Sequence, residues 1–253
     1  MSDSKIIVVR NVNKSFNMLA RSTTLKDMLS YHEHIKKKTH VVLNNISFEV
    51  NKGETLGIIG SNGSGKSTLL KLLSKILRPD SGSIVINGKT ACLIELGAGF
   101  HPDMTGRENI FINASIFGIS DKIIKERMDS IIDFSGIGDF IDERVRTYSS
   151  GMYLRLAFSV AINVDADVLL VDEILAVGDI EFRAKCLNKI NDFKQQGGTI
   201  VIVSHDIGQV KTFCDKVIWL KDGEIQEYDT PNIVCSHYES YMDSKIQKNK
   251  DCN

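Results

Sequence analysis

Several features that define other classes of protein are missing from this sequence. No uninterrupted apolar segment approaches the roughly 18 residues that a membrane-spanning helix requires. The first residues, Met1–Lys5, lead into a strand-like run without the long apolar core of a signal peptide. The cysteines are odd in number, and none of them forms a CxxC pair. We therefore expect a cytoplasmic protein with free thiols in place of disulfides or a zinc site, and any role at a membrane requires a partner.

The sequence also has no excess of charge of one sign. It contains 31 Lys and Arg residues against 32 Asp and Glu residues, which gives a net charge of −1. Proteins that bind nucleic acids usually show a basic excess, so we expect no nucleic-acid partner. What the chain does have is 253 residues, of which 42% are hydrophobic. That is enough for one large α/β core or two modest ones.

A glycine-rich segment follows the apolar run Thr55–Ile59, and leucines at helical spacing follow the segment. This order of strand, loop and helix is typical of a nucleoside triphosphate site, because glycines let backbone N–H groups approach phosphate oxygens. The alternative is a turn that only connects two elements, and it does not explain why every fixed position of the pattern matches. We predict that Lys66 contacts the β/γ-phosphates and that the Ser67 hydroxyl ligates Mg²⁺. The residues predicted to bind the nucleotide here are Gly60, Ser61, Asn62, Gly63, Ser64, Gly65, Lys66, Ser67 and Thr68.

Acidic residues follow a second apolar run, Val168–Val171, which has the character of a strand covered on both faces. Ligands of open α/β sheets bind at the C-terminal ends of the strands. We therefore expect Asp172 to hold Mg²⁺ through water and Glu173 to polarise the attacking water, although adjacent acids are also common at solvated strand ends. His205 ends the next such run, Thr199–Val203, where it would contact the γ-phosphate; a structural histidine is the alternative. The predicted catalytic residues are Lys66, Glu173 and His205.

Another segment suited to bind an anion is Tyr148–Met152, which precedes a long helical pattern. Its small residues Ser149, Ser150 and Gly151 would place backbone N–H groups at a helix start, although Ser-Ser-Gly is also an ordinary helix start. A compact single domain that already binds its nucleotide at the glycine-rich segment has no second phosphate group for such a helix start to bind. One resolution is a symmetric dimer in which the cap of each chain closes on the nucleotide held by the other.

The remaining patterns give the organisation of the chain. Strands are predicted at Ile6–Val9, Leu43–Val50 and Ser83–Gly88, and the period becomes helical from about residue 102 to about residue 165. The last residues, Lys245–Asn253, are polar and are expected to fray. The sequence therefore predicts one α/β domain with an inserted helical lobe.

Together these segments resemble a known family. The ordered set Gly60–Ser67, Tyr148–Met152, Val168–Glu173 and His205 is similar to the nucleotide-binding subunit of an ABC transporter, over about residues 5 to 240. The resemblance implies a P-loop NTPase of the α/β class, with a RecA-like core and mixed sheet, an antiparallel β subdomain and an α-helical subdomain at about residues 100–165. Residues 1–240 would form a single ABC ATPase domain, followed by a polar tail at residues 241–253.

The same resemblance implies partners. It implies a head-to-tail homodimer with two composite ATP sites, each clamped by the partner's Ser149–Gly151 segment. It also implies an integral membrane permease subunit, so that the chain would work peripherally at the cytoplasmic face of the inner membrane. ATP and Mg²⁺ are the implied ligands.

Individual residues also acquire roles by resemblance. Phe16 would stack on adenine, with a core phenylalanine at a strand end as the alternative, and Leu175–Asp179 would lie in the loop that crosses the dimer seam. The signature reads YSSGM in place of the commoner LSGGQ. The glutamine usual in the loop between the lobes is absent, and Glu95 is the nearest polar candidate for a metal contact, although a carboxylate does not bind Mg²⁺ and water as an amide does.

Segments 93–102, 105–109 and 176–179 closely resemble ATPases of polysaccharide exporters. The implied function is ATP hydrolysis coupled to the export of a lipid-linked polysaccharide of the O-antigen, teichoic acid or capsule type. Many O-antigen members add a C-terminal carbohydrate-binding domain, and we expect none within these 253 residues. The alternatives are an ABC ATPase subunit for another cargo, such as a drug, lipid or ion, and a soluble non-transport ABC ATPase.

Residues 17–40 form a longer connection than a simple turn requires. Thr24–Asp27 resembles a capping box, and Lys36–Lys38 would suit anionic headgroups or pyrophosphate. A solvated loop with a short helix and an element on the membrane-facing side are both consistent with this pattern. His32 and His34 are too sparse to indicate a metal site.

Overall fold

The computed structural model describes residues 4–18, 38–94, 96–116, 118–172 and 178–251, which form an α/β fold with two sheets. The strands are β1 Lys5–Met18, β2 Lys38–Asn51, β3 Thr55–Ile59, β4 Ser81–Ile86, β5 Thr90–Cys92, β6 Val168–Val171, β7 Thr199–Val203, β8 Lys216–Lys221 and β9 Glu224–Asp229. The helices are α1 Lys66–Leu73, α2 Gly106–Ile116, α3 Asp121–Ser135, α4 Ser150–Ile162, α5 Ile180–Gln195, α6 Ile207–Phe213 and α7 Pro231–Asp251.

The larger sheet carries the phosphate loop. Its strand order is β5-β6-β7-β3-β8-β9, and neighbouring strands are parallel except for β8 and β9. Every residue of β3, β6 and β7 is buried, as their continuous apolar sequences predict. Along β3, Leu56 and Ile58 pack with β1, β2 and α1, whereas Ile59 packs with α4 to α7. Because both faces of the sheet are covered, its strand ends are the positions available to a ligand.

The smaller sheet is antiparallel, with the order β2-β1-β4. The strands predicted at Ile6–Val9 and Leu43–Val50 are too short, because β1 and β2 each contain 14 residues. The register between the two strands shifts several times, which interrupts the alternation of apolar and polar residues. Asn11 and Asn45 lie at these irregularities with positive φ angles of 47° and 52°. The pattern alone therefore could not reveal that both strands continue.

The connection between β1 and β2 begins and ends at one point of this sheet. Met18 of β1 pairs with Lys38 of β2 in the backbone ladder. The connection between the two strands, residues 19–37, therefore starts and finishes at the same end of this strand pair. The capping box predicted at Thr24–Asp27, the histidines at 32 and 34 and the lysines at 36 and 37 lie outside the described residues.

The predicted helical lobe consists of α2, α3 and α4. Its core joins Ile110 of α2, Met128 and Ile131 of α3, and Leu156 of α4. Helix α3 ends at Ser135 and is followed by Gly136, whose φ angle of 64° is the left-handed conformation typical of a glycine after a helix. The amphipathic pattern in this part of the sequence therefore predicted the lobe correctly.

The C-terminal part of the chain differs from the expectation of a frayed tail. Helix α7 extends to Asp251 and passes through residue 241, where the sequence analysis placed the start of the tail. Trp219 of β8 packs against Tyr238 and Tyr241, with ring centroids 5.6 Å and 5.2 Å apart. These ring contacts hold α7 against β8 near residue 241, where the sequence analysis placed the end of the folded domain.

The cysteines of the described residues are thiols, as predicted. None of Cys92, Cys186, Cys214 and Cys235 is in a disulfide, and Cys252 lies outside the described residues. Burial raises the pKa of Cys186 and of Cys214 to about 12. Among the helices of the described residues, none combines the length and apolar character needed to cross a membrane.

Candidate nucleotide site

Three neighbouring parallel strands bring the predicted segments to one edge of the larger sheet. In the register of β6, β7 and β3, Val171 is level with Ile202, and Ile202 is level with Gly57. Asp172 follows β6 and the phosphate loop follows β3, so both emerge at the carboxyl edge. This is the edge at which open α/β sheets bind ligands.

Three glycines determine the shape of the loop. Gly60 and Gly65 have φ angles of 153° and 104°, and a Cβ atom on them would lie 2.2 Å from the Leu220 carbonyl oxygen and 2.9 Å from the Val42 carbonyl oxygen. Gly63, with a φ angle of 80°, has nothing within 4 Å of such an atom. The outer glycines therefore pack against the protein, whereas the middle one leaves room for another group to approach the backbone.

Lys66 is the first residue of α1 and is only 8% exposed. Its Nζ donates to the Gly60 carbonyl at 2.7 Å and to the Ser61 carbonyl at 3.0 Å. In the following turns of the helix, Leu69, Leu70 and neighbouring leucines are buried in the core. The helix is thus fixed by apolar packing with its ammonium group turned back towards the loop, where phosphates are predicted to bind.

The loop borders a cavity of about 410 Å³, within the size range of small-molecule sites. Its lining residues are His40, Val42, Asn62, Gly63, Gly65, Lys66, Ser67, Thr68, Asp172 and Val203. Asn62, Gly63, Gly65, Lys66, Ser67, Thr68 and Asp172 were predicted site residues, and the structure brings them together. Gly60, Ser61 and Ser64 belong to the same loop but do not line the cavity.

The donor set of the cavity fits the predicted magnesium ion. Ser67, which carries a hydroxyl group, and Asp172, which carries a carboxylate, line the same cavity as Lys66. Mg²⁺ is commonly held by one or two protein oxygens, with water and substrate phosphates completing the octahedron. The described residues therefore supply the kind of partial ligand set that Mg²⁺ uses beside a triphosphate.

Phe16 lies on β1 opposite His40 of β2, and His40 lines the cavity. Phe16 is 40% exposed, and the Lys14 Nζ lies 5.4 Å from the centroid of its ring. An exposed ring one strand away from the cavity is compatible with stacking on a base, and it disfavours the alternative of a core phenylalanine. Sequence reasoning missed His40, because an isolated histidine before a strand carries no distinguishing pattern.

Asp80 is a second residue that the sequence analysis did not identify. Its carboxylate accepts hydrogen bonds from Lys14 Nζ at 2.7 Å and from the Ser15 backbone N–H at 2.6 Å. The hydrogen bond from Lys14, followed by those from Ser15, lowers the pKa of Asp80 to about 2. Asp80 therefore fixes the segment of β1 that presents Phe16, and only its place in the sequence Pro-Asp-Ser-Gly could have drawn attention to it.

The Ser149–Gly151 cap lies at the start of α4 and does not line the cavity. The Ser149 Oγ accepts a hydrogen bond from the Met152 backbone N–H at 3.2 Å, which is an ordinary helix cap. Ser149 and Ser150 are exposed, and the Cβ position of Gly151 is approached only by the Ser149 hydroxyl at 3.8 Å. Within one chain, the cap and the phosphate loop are therefore not assembled into one site.

His205 is exposed after β7 and is not among the cavity residues. The neighbouring Ser204 is 5% exposed, and its hydroxyl accepts a hydrogen bond from the Asp206 N–H at 3.0 Å. Asp206 in turn caps α6 by accepting from Gln209 N–H at 3.0 Å. Glu173, Glu95 and residues 174–177 lie outside the described residues, so their predicted roles remain predictions.

The sequence matches known proteins over most of its length. The sequence profile of the family described as "ABC transporter" matches residues 43–176. An O-antigen export system ATP-binding protein of Myxococcus xanthus is 49% identical over 92% of this chain and 55% of its own length. One of Klebsiella pneumoniae is 41% identical over 94% of this chain and 98% of its own length. A teichoic acids export ATP-binding protein of Bacillus cereus is 44% identical over 92% of this chain, which spans only 42% of that relative.

The fold also matches solved structures. A dimeric ATP-binding cassette in a post-hydrolysis state, bound to ADP and Pi, superposes with a TM-score of 0.71. The match covers 89% of this chain and 98% of that protein, at 21% sequence identity. The chain therefore shares the fold of ATP-binding cassettes, as the order of its motifs predicted.

Proposed function

The chain belongs to the ABC transporter family as an ABC ATPase subunit, and we propose that it powers the export of a lipid-linked polysaccharide across the cytoplasmic membrane. The cargo would be of the O-antigen, teichoic acid or capsule type. One observation carries the proposal: the identity to an O-antigen export protein extends over nearly the whole of both chains. The relatives that export teichoic acids support the same class of cargo.

ATP would occupy the cavity beside the phosphate loop. Backbone N–H groups around Gly63 and the Lys66 ammonium group would bind the phosphates, and Phe16 would stack on the base. Ser67 and Asp172 would hold Mg²⁺, which neutralises charge on the phosphates, and Glu95 is a further candidate ligand. Glu173 would orient and polarise the attacking water, and His205 would contact the γ-phosphate.

Hydrolysis would require two copies of the chain in head-to-tail arrangement. Ser149 and Ser150 are exposed, and no residue of the Ser149–Gly151 cap lines the cavity of its own chain. The cap would bind the nucleotide held by the second copy. Closure of the dimer around ATP and its opening after hydrolysis would be the motion passed to a membrane partner.

The partner would be an integral permease subunit, which would hold the ATPase at the cytoplasmic face of the membrane. The helical lobe near residues 100–107 would contact it, and Met104, 36% exposed, supplies apolar surface there. Residues 17–40 would form a second element on the membrane-facing side, beside the permease or the lipid-linked substrate.

The test is a pair of lysine variants expressed in the native host in place of the wild-type chain. Lys66→Ala should abolish surface polysaccharide and cause lipid-linked chains to accumulate inside the cell, as measured by lipid extraction and surface labelling. The exposed Lys122→Ala on α3 is the matched control and should export normally.

Two results would contradict the proposal. Normal surface polysaccharide in a Lys66→Ala strain whose purified ATPase is inactive would show that the cargo is wrong. Normal ATP hydrolysis by Lys66→Ala would show that the nucleotide site is wrong.

A further inference from the structure

A second cavity of about 410 Å³, equal in volume to the nucleotide cavity, lies between α3 and α5. Arg127 and Ser130 of α3 line one wall, and Lys189 and Asp192 of α5 line the other. Its floor is residues 162–166, which run from the end of α4 towards β6. Because this segment precedes β6, whereas the nucleotide cavity lies beyond the carboxyl end of that strand, the two cavities are separate sites.

The floor of the second cavity is held in place by Arg127. Its Nη1 donates to the Asn163 carbonyl at 2.7 Å, and its Nη2 donates to Asp165 Oδ1 at 2.7 Å. The side-chain amide of Asn163 in turn donates to the Ser159 carbonyl of α4 at 2.7 Å. A planar guanidinium group that binds two acceptors fixes both of them in direction. The cavity therefore has a defined shape without a ligand, which is usual for small-molecule sites.

The wall formed by α5 carries polar side chains that are not paired within the protein. In the described part of the chain, the side chains of Lys189, Asp192 and Gln196 make no hydrogen bond or ion pair. Their spacing of three and four residues places them on one face of the helix. The ammonium group only donates, the carboxylate only accepts, and the amide does both. This face therefore offers donors and acceptors side by side.

Apolar surface borders the same cavity. Ile162, Val164 and Ala166 line it from the floor, and Phe193 lines it from α5. The Phe193 ring is in place because residue 198 is a glycine: a Cβ atom on Gly198 would lie 2.3 Å from the ring. The lining thus combines a fixed aromatic ring and aliphatic groups with polar side chains.

The charges of the lining cancel, which distinguishes this cavity from an anion site. The cations Arg127 and Lys189 are matched by the carboxylates of Asp165 and Asp192. A hydroxyl group donates and accepts at one atom, so a ligand with several hydroxyl groups matches mixed donors and acceptors. A sugar ring carries such groups at its edge and apolar C–H groups on its faces, which suits Phe193 and the aliphatic floor.

An adjoining cavity extends this one along α5. It has a volume of about 230 Å³ and shares Ala166, Phe193 and Gln196 with the first. Its charged lining residues, Lys52 and Asp167, are again of opposite sign. The joined space is elongated and has no net charge along its length, so it leaves room for a chain of sugar residues.

We propose that the cavity between α3 and α5 is a binding site for sugar residues without net charge, either free or within a glycan chain. The inference goes beyond the proposed function, because it gives the ATPase a glycan contact of its own. Helix α3 and the end of α4 belong to the helical lobe, whereas α5 and β6 flank each other outside it. A bound sugar therefore contacts both parts of the chain.

The test measures sugar binding to the full chain by saturation-transfer NMR in the presence of ADP, which occupies the nucleotide cavity. The probes are the methyl glycosides of glucose, mannose, galactose and N-acetylglucosamine and, in a second arm, surface polysaccharide purified from the native host. We expect a glycoside to bind with a Kd of about 1 mM, given ordinary ligand efficiencies for a molecule of this size. Binding of the polysaccharide alone would equally support the site and show that it needs a chain.

Variants of α5 locate the site. Lys189→Met and Asp192→Ala each remove one polar group from the wall and should weaken sugar binding about tenfold. Methionine and alanine are good helix formers, so α5 should remain folded, which circular dichroism checks. Arg183→Met and Asn191→Ala are the matched controls, because both residues are exposed on α5 and line neither cavity. They should bind sugar as the wild-type chain does.

Three results would overturn the inference. The first is no binding of any glycoside or of the polysaccharide at concentrations far above the expected Kd. The second is binding that Lys189→Met and Asp192→Ala leave unchanged. The third is binding of glucose 1-phosphate or glucosamine about tenfold tighter than that of methyl glucoside, since it would show a site for a charged ligand. The proposed function is tested separately, because the export assay with Lys66→Ala involves no residue of this cavity.

Discussion

The phosphate loop and the Ser149–Gly151 cap are both helix starts suited to anions, and they differ in what surrounds them. At the phosphate loop, Gly60 packs against the β8 backbone, Lys66 is buried, and a cavity lies alongside. At the cap, Ser149 and Ser150 are exposed, and the Ser149 hydroxyl already accepts a hydrogen bond from its own helix. The comparison separates a helix start that borders a cavity of its own chain from one that does not, and this difference is why we propose that the cap binds the nucleotide held by a second copy.

The largest effect should come from Glu173→Gln, which tests how the two regions act together. A glutamine cannot accept the proton of the attacking water, so we expect kcat to fall by a factor of about 10² to 10⁴. ATP affinity should be retained, and closed dimers should accumulate in Mg-ATP, as measured by size-exclusion chromatography with light scattering. Hydrolysis near the wild-type rate would remove Glu173 from its proposed role.

Lys66→Ala should affect the first region alone. The variant loses charge-assisted contacts to the phosphates, each worth about 1.5–3 kcal/mol, and ATP affinity should fall by a factor of about 100 or more. The loss should appear at chain concentrations too low for dimers, in equilibrium titration with a fluorescent ATP analogue. Lys122→Ala should bind normally, and equal losses in both variants would point to a general defect.

Ser149→Ala should affect the second region alone. Single-chain ATP affinity should stay within about twofold, whereas ATP-dependent dimerisation in a Glu173→Gln background should weaken about tenfold or more, because one hydrogen bond to a charged phosphate is lost. Sedimentation analysis measures this, with Ser149→Thr as the variant that keeps both the hydroxyl and the helix cap. Unchanged ATP-dependent dimerisation of Ser149→Ala would contradict the proposed role of the cap, because it would show that the Ser149 hydroxyl does not contact a phosphate held by a second copy.

The smallest effect concerns the strand that supports Phe16. The lowered pKa of Asp80, about 2, means that its ionised form stabilises the folded state above about pH 4 and that this contribution is lost as the pH falls towards 2. Because the side chain is 41% exposed, we expect less than about 1 kcal/mol. Urea unfolding at several acidic pH values should show a weaker pH dependence for Asp80→Asn than for the wild-type chain. Equal slopes would show that the Lys14 and Ser15 hydrogen bonds add nothing to stability.

The larger sheet and its loop were predictable because their signals are local. The bounds of β3, β6 and β7 coincide with the apolar runs in the sequence. The loop pattern identified the cavity residues Asn62, Gly63, Gly65, Lys66, Ser67 and Thr68. The family resemblance read from these motifs is confirmed by the profile match and the relatives. Each of these patterns can be recognised from a short segment of the sequence.

The features that were missed depend on contacts between distant parts of the chain. The full length of β1 follows from pairing across register shifts, and His40 reaches the cavity only because β2 continues to it. Helix α7 passes the expected tail boundary because Trp219 provides a docking surface that composition does not reveal.

The hairpin of β1 and β2 has a practical consequence. Since Met18 and Lys38 pair in the ladder, the two ends of the connection lie about one interstrand spacing apart, roughly 5 Å. A loop of another length or composition can be spliced in at these two points without displacing Phe16 from its partner strand. Chimaeras in which residues 19–37 are exchanged between related ABC ATPases would therefore separate the function of this connection from ATP hydrolysis.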